Sequence, residues 1–329
     1  MRALHPSPMK RHLTVAQAAA LILPLLAAPA FAARREPAPP PAPTANAAAP
    51  TANAAAPAAA AADALARGDA AWSRRAEGFK PGGPASAAPV GEAIAAYEAA
   101  LKAQPERLEI YWKLLRAAHF RGEFAVRSRE DKQAVFGHAR GIAEAALDRL
   151  ARQVGGRARL DSMPPAALAK ALSGAPEAAE IYLWAGIHWA LWGDNFGRLA
   201  AARQGVGDRV RRYAEMVNVL DERLESAGGH RLLGRLHTLA PKVPFVTGWV
   251  DRGTAVSELR RAVALAPDFA LNEVFLADAL LQYQPAHAAE ARRLLRREAE
   301  RQPAPGGSTR VEDDDAVRQA RQLLAKYPG

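Results

Sequence analysis

Cysteine is absent from all 329 residues. That excludes disulfides, thiol nucleophiles and thiolate metal sites, and also the lipidated cysteine that anchors bacterial lipoproteins. Strand patterns are almost as scarce. Alternation of Val, Ile and Thr with polar residues never persists, which argues against a sheet-based fold. Catalytic signatures are missing as well: there is no Gly-x-Ser-x-Gly elbow, dinucleotide fingerprint or His-Glu-x-x-His pair. Acidic residues are missing before Ala33, and that gap leads to what is present.

Lys10 and Arg11 precede an apolar run from Leu13 to Ala28, and Ala30-Phe31-Ala32 follows with small residues around a phenylalanine. This is the pattern of a secretory signal peptide over 1–32, cut after Ala32. The alternative, an uncleaved anchor, needs a span of about 20 apolar residues, longer than this run. The expected location is therefore periplasmic or secreted. Next comes "ARREPAPPPAPTANAAAPTANAAAPAAAAA", in which "PTANAAA" occurs twice. Frequent proline and no large apolar side chain make 33–61 a disordered Ala/Pro-rich linker. Residues 62–329 are left for the folded domain. Losing Arg2, Lys10 and Arg11 with the leader lowers the net charge from +10 to +7. The excess is arginine scattered along helices. Aromatic residues do not interleave with it, so nucleic acid is not an expected partner.

The folded part is helical. Val210, Tyr213, Val217, Leu220 and Leu224 step by three and four, one apolar stripe, and Gly228-Gly229 supply a left-handed stop. Thr309 and Glu312 have capping-box spacing before Asp313, Asp314 and Asp315. A calcium loop there would need alternating oxygen ligands and a central glycine, which are missing. "QGVGDR" reads as an interhelical turn, since no strand precedes it. Two distant segments match each other. Ala93, Tyr97, Ala100 and Pro105 have the same spacing as Ala255, Leu259, Ala262 and Pro267, and Ala291, Leu295, Glu298 and Pro303 form a weaker copy. Small residues where helices touch, a bulky one beside them and a closing proline describe the second half of a tetratricopeptide repeat. First halves appear at Tyr111, Leu114, Leu115 and Ala118, at Tyr182, Ala185, Gly186 and Trp189, and at Leu276, Ala277 and Leu280. The expected fold is all-α, a tetratricopeptide-like solenoid of helical hairpins.

The segments "GDAAWSRRAEG", "EAIAAYEAALKAQPERLEIYWKLLRAAHFRGE" and "AAEIYLWAGIHWALWGD", with a terminal helix pair, resemble the T-component of TRAP transporters. The resemblance lies in helix pattern from about Ala62 onward. It implies a periplasmic, non-enzymatic helical protein, a protein partner in the cell envelope such as a periplasmic solute-binding protein, and a homo-oligomer as one option.

Two places could carry binding. "GGHRLLGRLHTLAPKVPFVTGW" holds His230 and His237, seven residues and about 10 Å of helical rise apart, too far to share a metal. It reads either as a helix with its buried stripe Leu232, Leu236 and Leu239, or as a ligand rim of His230, Arg231 and Arg235. In the second reading the two arginines, four apart, grip one carboxylate. The other place is the stripe Trp184, His188 and Trp192, either a sandwiched core helix or an aromatic groove for a small organic ligand or a partner's helix. No cofactor, metal or catalytic residue is expected. The competing reading is a cell-envelope hydrolase using carboxylates among Glu177, Glu180 and Asp194.

Overall fold

The structure, a computed structural model, describes residues 52–328. The expected signal peptide at 1–32, and the linker as far as residue 51, lie outside the described residues. Among the described residues the chain is built from α-helices, with short 3-10 and π turns and no strand. No helix among them is long and apolar enough to cross a membrane.

The first helix, α1 (Ala52–Ser73), corrects the linker boundary, because residues 52–61 are helical rather than irregular. Pro57 falls in its second turn. From Ala58 to Lys80 no proline interrupts the chain, and Ala61, Ala64 and Leu65 are buried. Alanine's high helix propensity carries the segment once one face is covered. That cover is α2 (Ala87–Ala103).

The remaining long helices repeat this pairing. They are α3 (Leu108–Phe120), running on through a π turn at Arg121–Ala125, and α4 (Arg129–Gln153). Short helices α5 (Arg157–Ser162) and α6 (Pro165–Ala171) lead to α7 (Ala178–Phe196), α8 (Arg198–Arg203) and α9 (Val206–Leu220). Then follow α10 (Leu224–Leu239), α11 (Arg252–Leu265), α12 (Ala270–Tyr283), α13 (Ala288–Ala299) and α14 (Arg310–Lys326). Hairpins α1/α2, α3/α4, α7/α9, α10/α11 and α12/α13 stack side by side. Helices α3, α7, α10, α12 and α14 touch in succession along one row. The architecture is an α-helical hairpin solenoid, in which no pair can cover its apolar face alone.

The repeat positions account for the close packing. Ala93, Tyr97, Ala100, Ala255, Leu259, Ala262, Ala291, Leu295 and Glu298 are all fully buried. In two hairpins a glycine lies under the bulky residue of the partner helix. A Cβ on Gly68 would stand 2.4 Å from Tyr97 Cε1, and one on Gly234 would stand 2.6 Å from Leu259 Cγ. Only a bare backbone admits that contact.

Two helix-end expectations are corrected. Gly228 and Gly229 do not stop a helix: α9 ends at Leu220, and both glycines lie inside α10. Their role is clearance, since a Cβ on Gly229 would meet Val217 Cβ at 2.9 Å and one on Gly228 would meet Leu183 Cδ2 at 3.0 Å. The left-handed residues are instead Glu225, Ser226 and Ala227, with φ of 48°, 57° and 64°. At the far end, Thr309 makes no capping bond and Glu312 does not reach back to it. The Glu312 carboxylate accepts from Arg75 at 2.8 Å across 237 residues. Gly82 N–H donates to Asp314 at 3.1 Å, and Val311 joins the hydrophobic core of the first hairpins. The solenoid thus curls until its last helix meets its first hairpin.

Candidate functional site

The inner row of helices carries most of the buried polar groups. Helical periodicity puts Lys113, Arg116 and Phe120 on one face of α3, with His119 beside them, and Glu180, Trp184 and His188 on one face of α7. Just past α1, the Arg75 guanidinium lies 4.3 Å from the Trp72 ring centroid, and that of Arg116 lies 4.4 Å from it. His119 and Trp184 meet with ring centroids 5.5 Å apart. Trp72, Arg116, His119, Phe120, Phe124, Trp184 and Glu312 enclose a small cavity with room for about one water molecule.

Burial decides the charge states. It depresses His119 to about 3, with the fields of His188, Lys132 and Arg231 adding to the effect. It depresses His188 to about 4, partly offset by the bond to Leu115 O. Both rings are neutral at pH 7. Burial pushes the Glu312 carboxyl up, against the pull of Arg75. It also pushes Glu225 up, against Arg116 and Arg231, and lowers Arg116.

The tryptophan stripe does not act as one surface. Trp184, His188 and Trp192 are all buried, but they serve three environments. Trp184 lines the cavity. His188 Nε2 is 2.9 Å from Leu115 O, a core hydrogen bond between α7 and α3. Trp192 stacks on Phe196 at 4.8 Å and meets Trp189 edge-on at 5.9 Å, with Arg140 over its ring.

The residues of the supposed rim also part company. Arg231 donates to Ser226 O at 2.8 Å, Glu225 O at 2.9 Å and Asn272 Oδ1 at 3.0 Å. It clamps the left-handed turn that opens α10, and burial lowers its pKa to about 9. Arg235, one turn on, pairs with buried Asp278. The two arginines therefore grip separate groups of the chain rather than one carboxylate. His230 turns to Glu258, 2.7 Å away, and lies 3.8 Å from Glu222.

Of the three carboxylates of the hydrolase reading, Glu177 and Glu180 are three residues apart at the start of α7, whereas Asp194 is far from both. Glu180 and Asp194 sit on α7 fourteen residues apart, about 21 Å at 1.5 Å per residue. Glycosidase carboxylates stand about 5–9.5 Å apart. Asp194 is nonetheless perturbed: burial and the field of Glu123 raise it to about 6. Glu123 lies on the π turn, 3.5 Å from Lys132 Nζ, and burial raises it too. Among the described residues no three His, Asp or Glu side chains are placed to hold a metal ion.

Sequence reasoning passed over Trp72, Arg75, Arg116, His119 and Glu312. The signal that could have found the first four is an arginine and an aromatic repeating on one face of otherwise Ala/Leu-rich helices, in "AAWSRRA" and "WKLLRAAHF". No protein-family model matches the chain, and no curated protein matches it. The site is therefore read from its own geometry.

Proposed function

We propose that this protein is a non-enzymatic helical-repeat interaction module of the cell envelope. In its specific form it is a T-component-like accessory that docks a periplasmic solute-binding protein. The observation that supports this reading is the loop between α10 and α11, residues 240–251. Val243, Phe245 and Val246 are exposed there, Phe245 completely. Phe245 is also held at φ 64°, a conformation that costs a non-glycine residue about 1–2 kcal/mol. The loop is braced. Thr247 Oγ1 accepts from Val243 N–H at 3.0 Å and donates to Pro241 O at 2.5 Å. Trp249 behind it packs on His237 at 5.3 Å, with Arg211 4.5 Å over its ring. A rigid apolar projection of this kind is the form of an interface anchor, since large apolar groups carry most binding energy when a partner covers them.

The test places a photo-crosslinking residue at Val243 in the native host and identifies captured envelope proteins by mass spectrometry. A solute-binding protein captured by the wild type and lost in Phe245→Asp, at unchanged melting temperature, supports the reading. An identical capture profile for Phe245→Asp overturns it.

A further inference from the structure

The hydrogen-bond account of the cavity beneath α14 does not balance. Both terminal nitrogens of Arg75, Nε of Arg116 and Nε1 of Trp184 are buried donors without a partner. His119 Nε2 is also buried and unpartnered. Glu312 Oε2 is an unpartnered acceptor in the same place, its other oxygen being bound by Arg75 Nε, and the neutral His119 ring offers Nε2 as donor or acceptor according to its tautomer. Donors outnumber acceptors, and three of the four belong to the guanidinium groups of Arg75 and Arg116. Leaving a buried donor unmade costs about 1–3 kcal/mol, so the chamber is short of acceptor oxygens. A neutral water supplies two lone pairs and also needs acceptors for its own hydrogens. A carboxylate supplies four lone-pair sites and needs none. The aromatic wall of Trp72, 4.3 Å from the Arg75 guanidinium, fixes the arginine plane and limits the space.

We infer that this chamber is a carboxylate site, filled in the closed chain by the protein's own Glu312, and that a small external monocarboxylate competes for it. Size sets the class. The free room is about one water molecule, so the chamber admits an acetate-sized anion only when the Glu312 carboxylate withdraws. Withdrawal is mechanically open to the chain. Glu312 sits in the first turn of α14, and the preceding segment, Gln302 to Ser308, contains two prolines and two glycines. Besides the Arg75 pair, α14 reaches the first hairpin through the Gly82–Asp314 bond and Val311. Burial raises the Glu312 carboxyl despite Arg75, so the tethered occupant is held less firmly than a full set of donors could hold it. The occupied site then works as a latch: an entering carboxylate takes the arginines and frees α14 from the first hairpin.

The inference is independent of the docking loop, and Phe245→Asp leaves the chamber untouched. The test uses Glu312→Ala, which removes the tethered carboxylate and leaves an acetate-shaped space. Melting temperature is followed against sodium acetate, with sodium chloride at equal ionic strength and acetamide as controls. A tethered group competes at an effective concentration of order millimolar or above. Acetate should therefore stabilise Glu312→Ala at concentrations at least about tenfold lower than those at which it affects the wild type. Adding Arg75→Gln to Glu312→Ala should abolish the response. If Glu312→Ala does not fold in plain buffer, its refolding yield in acetate against chloride is the readout. Equal effects of acetate and chloride, equal effects of acetate and acetamide, or an acetate response that survives Arg75→Gln would each overturn the inference.

Discussion

Replacing Arg231 by methionine separates a clamp from a ligand-gripping arginine. Methionine has similar length, so the main loss is the fork of donors. Three bonds disappear, to Ser226 O, Glu225 O and Asn272 Oδ1. A bond from a charged donor contributes about 1.5–3 kcal/mol net, so roughly 4–9 kcal/mol is withdrawn. An opposing effect is relieved. Burial holds the guanidinium at about 9 against its ordinary 12.5, which at about 1.4 kcal/mol per unit is on the order of 5 kcal/mol. Ser226 O keeps the Asn272 amide at 3.1 Å, while Glu225 O loses its side-chain donor. The turn it anchors is left-handed over three non-glycine residues, each costing about 1–2 kcal/mol, so it has a strong tendency to open. The two effects differ by roughly −1 to +4 kcal/mol, and the unsupported left-handed turn tips the result to a net loss of up to about 4 kcal/mol, read as a lower urea midpoint at pH 7. Arg231→Lys should do no better, because lysine keeps the burial cost of a charge but cannot fork to two successive carbonyls. A methionine variant as stable as the wild type, or more so, would refute the clamp and return Arg231 to the ligand rim.

Asp194→Asn should stabilise the protein at neutral pH. Its folded pKa, about 6, lies above the ordinary 3.8, so the stability tied to its proton is fully present below the lower value and is lost as pH rises through about 6. The amide removes that loss, a gain on the order of 1–3 kcal/mol at pH 7 that vanishes below about pH 4. Thermal melts across that range check it, and an equal gain at both ends would show that the carboxyl does not titrate there. Trp192→Ala should behave as a core deletion, costing about 3 kcal/mol, the low end for a buried aromatic because the neighbouring Phe196 is itself partly open. A wild-type denaturation midpoint would mean that the ring faces a groove instead.

Local regularities were legible before any coordinates. The spacing Ala93-Tyr97-Ala100 and its copy Ala255-Leu259-Ala262 mark the contact faces of α2 and α11, and all six side chains are buried. Leu259, the bulky member of that copy, stands over Gly234. These survive because helix faces repeat every three to four residues whatever lies around them. Helix ends were read less well. A Gly-Gly pair is a general stop signal, yet Gly228 and Gly229 serve clearance against α7 and α9, and the left-handed turn falls on Glu225, Ser226 and Ala227. Its cause is Arg231 with Asn272, 41 residues beyond, and no local pattern carries that information. Alanine between prolines looked like a linker, whereas residues 52–61 are helical, the first turns of a helix that packs against α2.

The candidate site divides along the same line. Sequence alone determined an all-helical chain of stacked hairpins, cysteine-free and lacking a recognisable catalytic motif, with aromatic and arginine residues concentrated on particular helix faces. It could not assign those side chains to one another. Glu312 has capping-box spacing with Thr309, and only the curl of the solenoid brings it to Arg75, 237 residues away. Trp184, His188 and Trp192 share a stripe on paper, and only the neighbours of α7 send one to a cavity, one to Leu115 and one to Arg140 of α4. The physical reason is range. Periodicity and capping act over a few residues of chain, while the partners of a buried charge are set by how many small inter-hairpin rotations accumulate before the last helix meets the first.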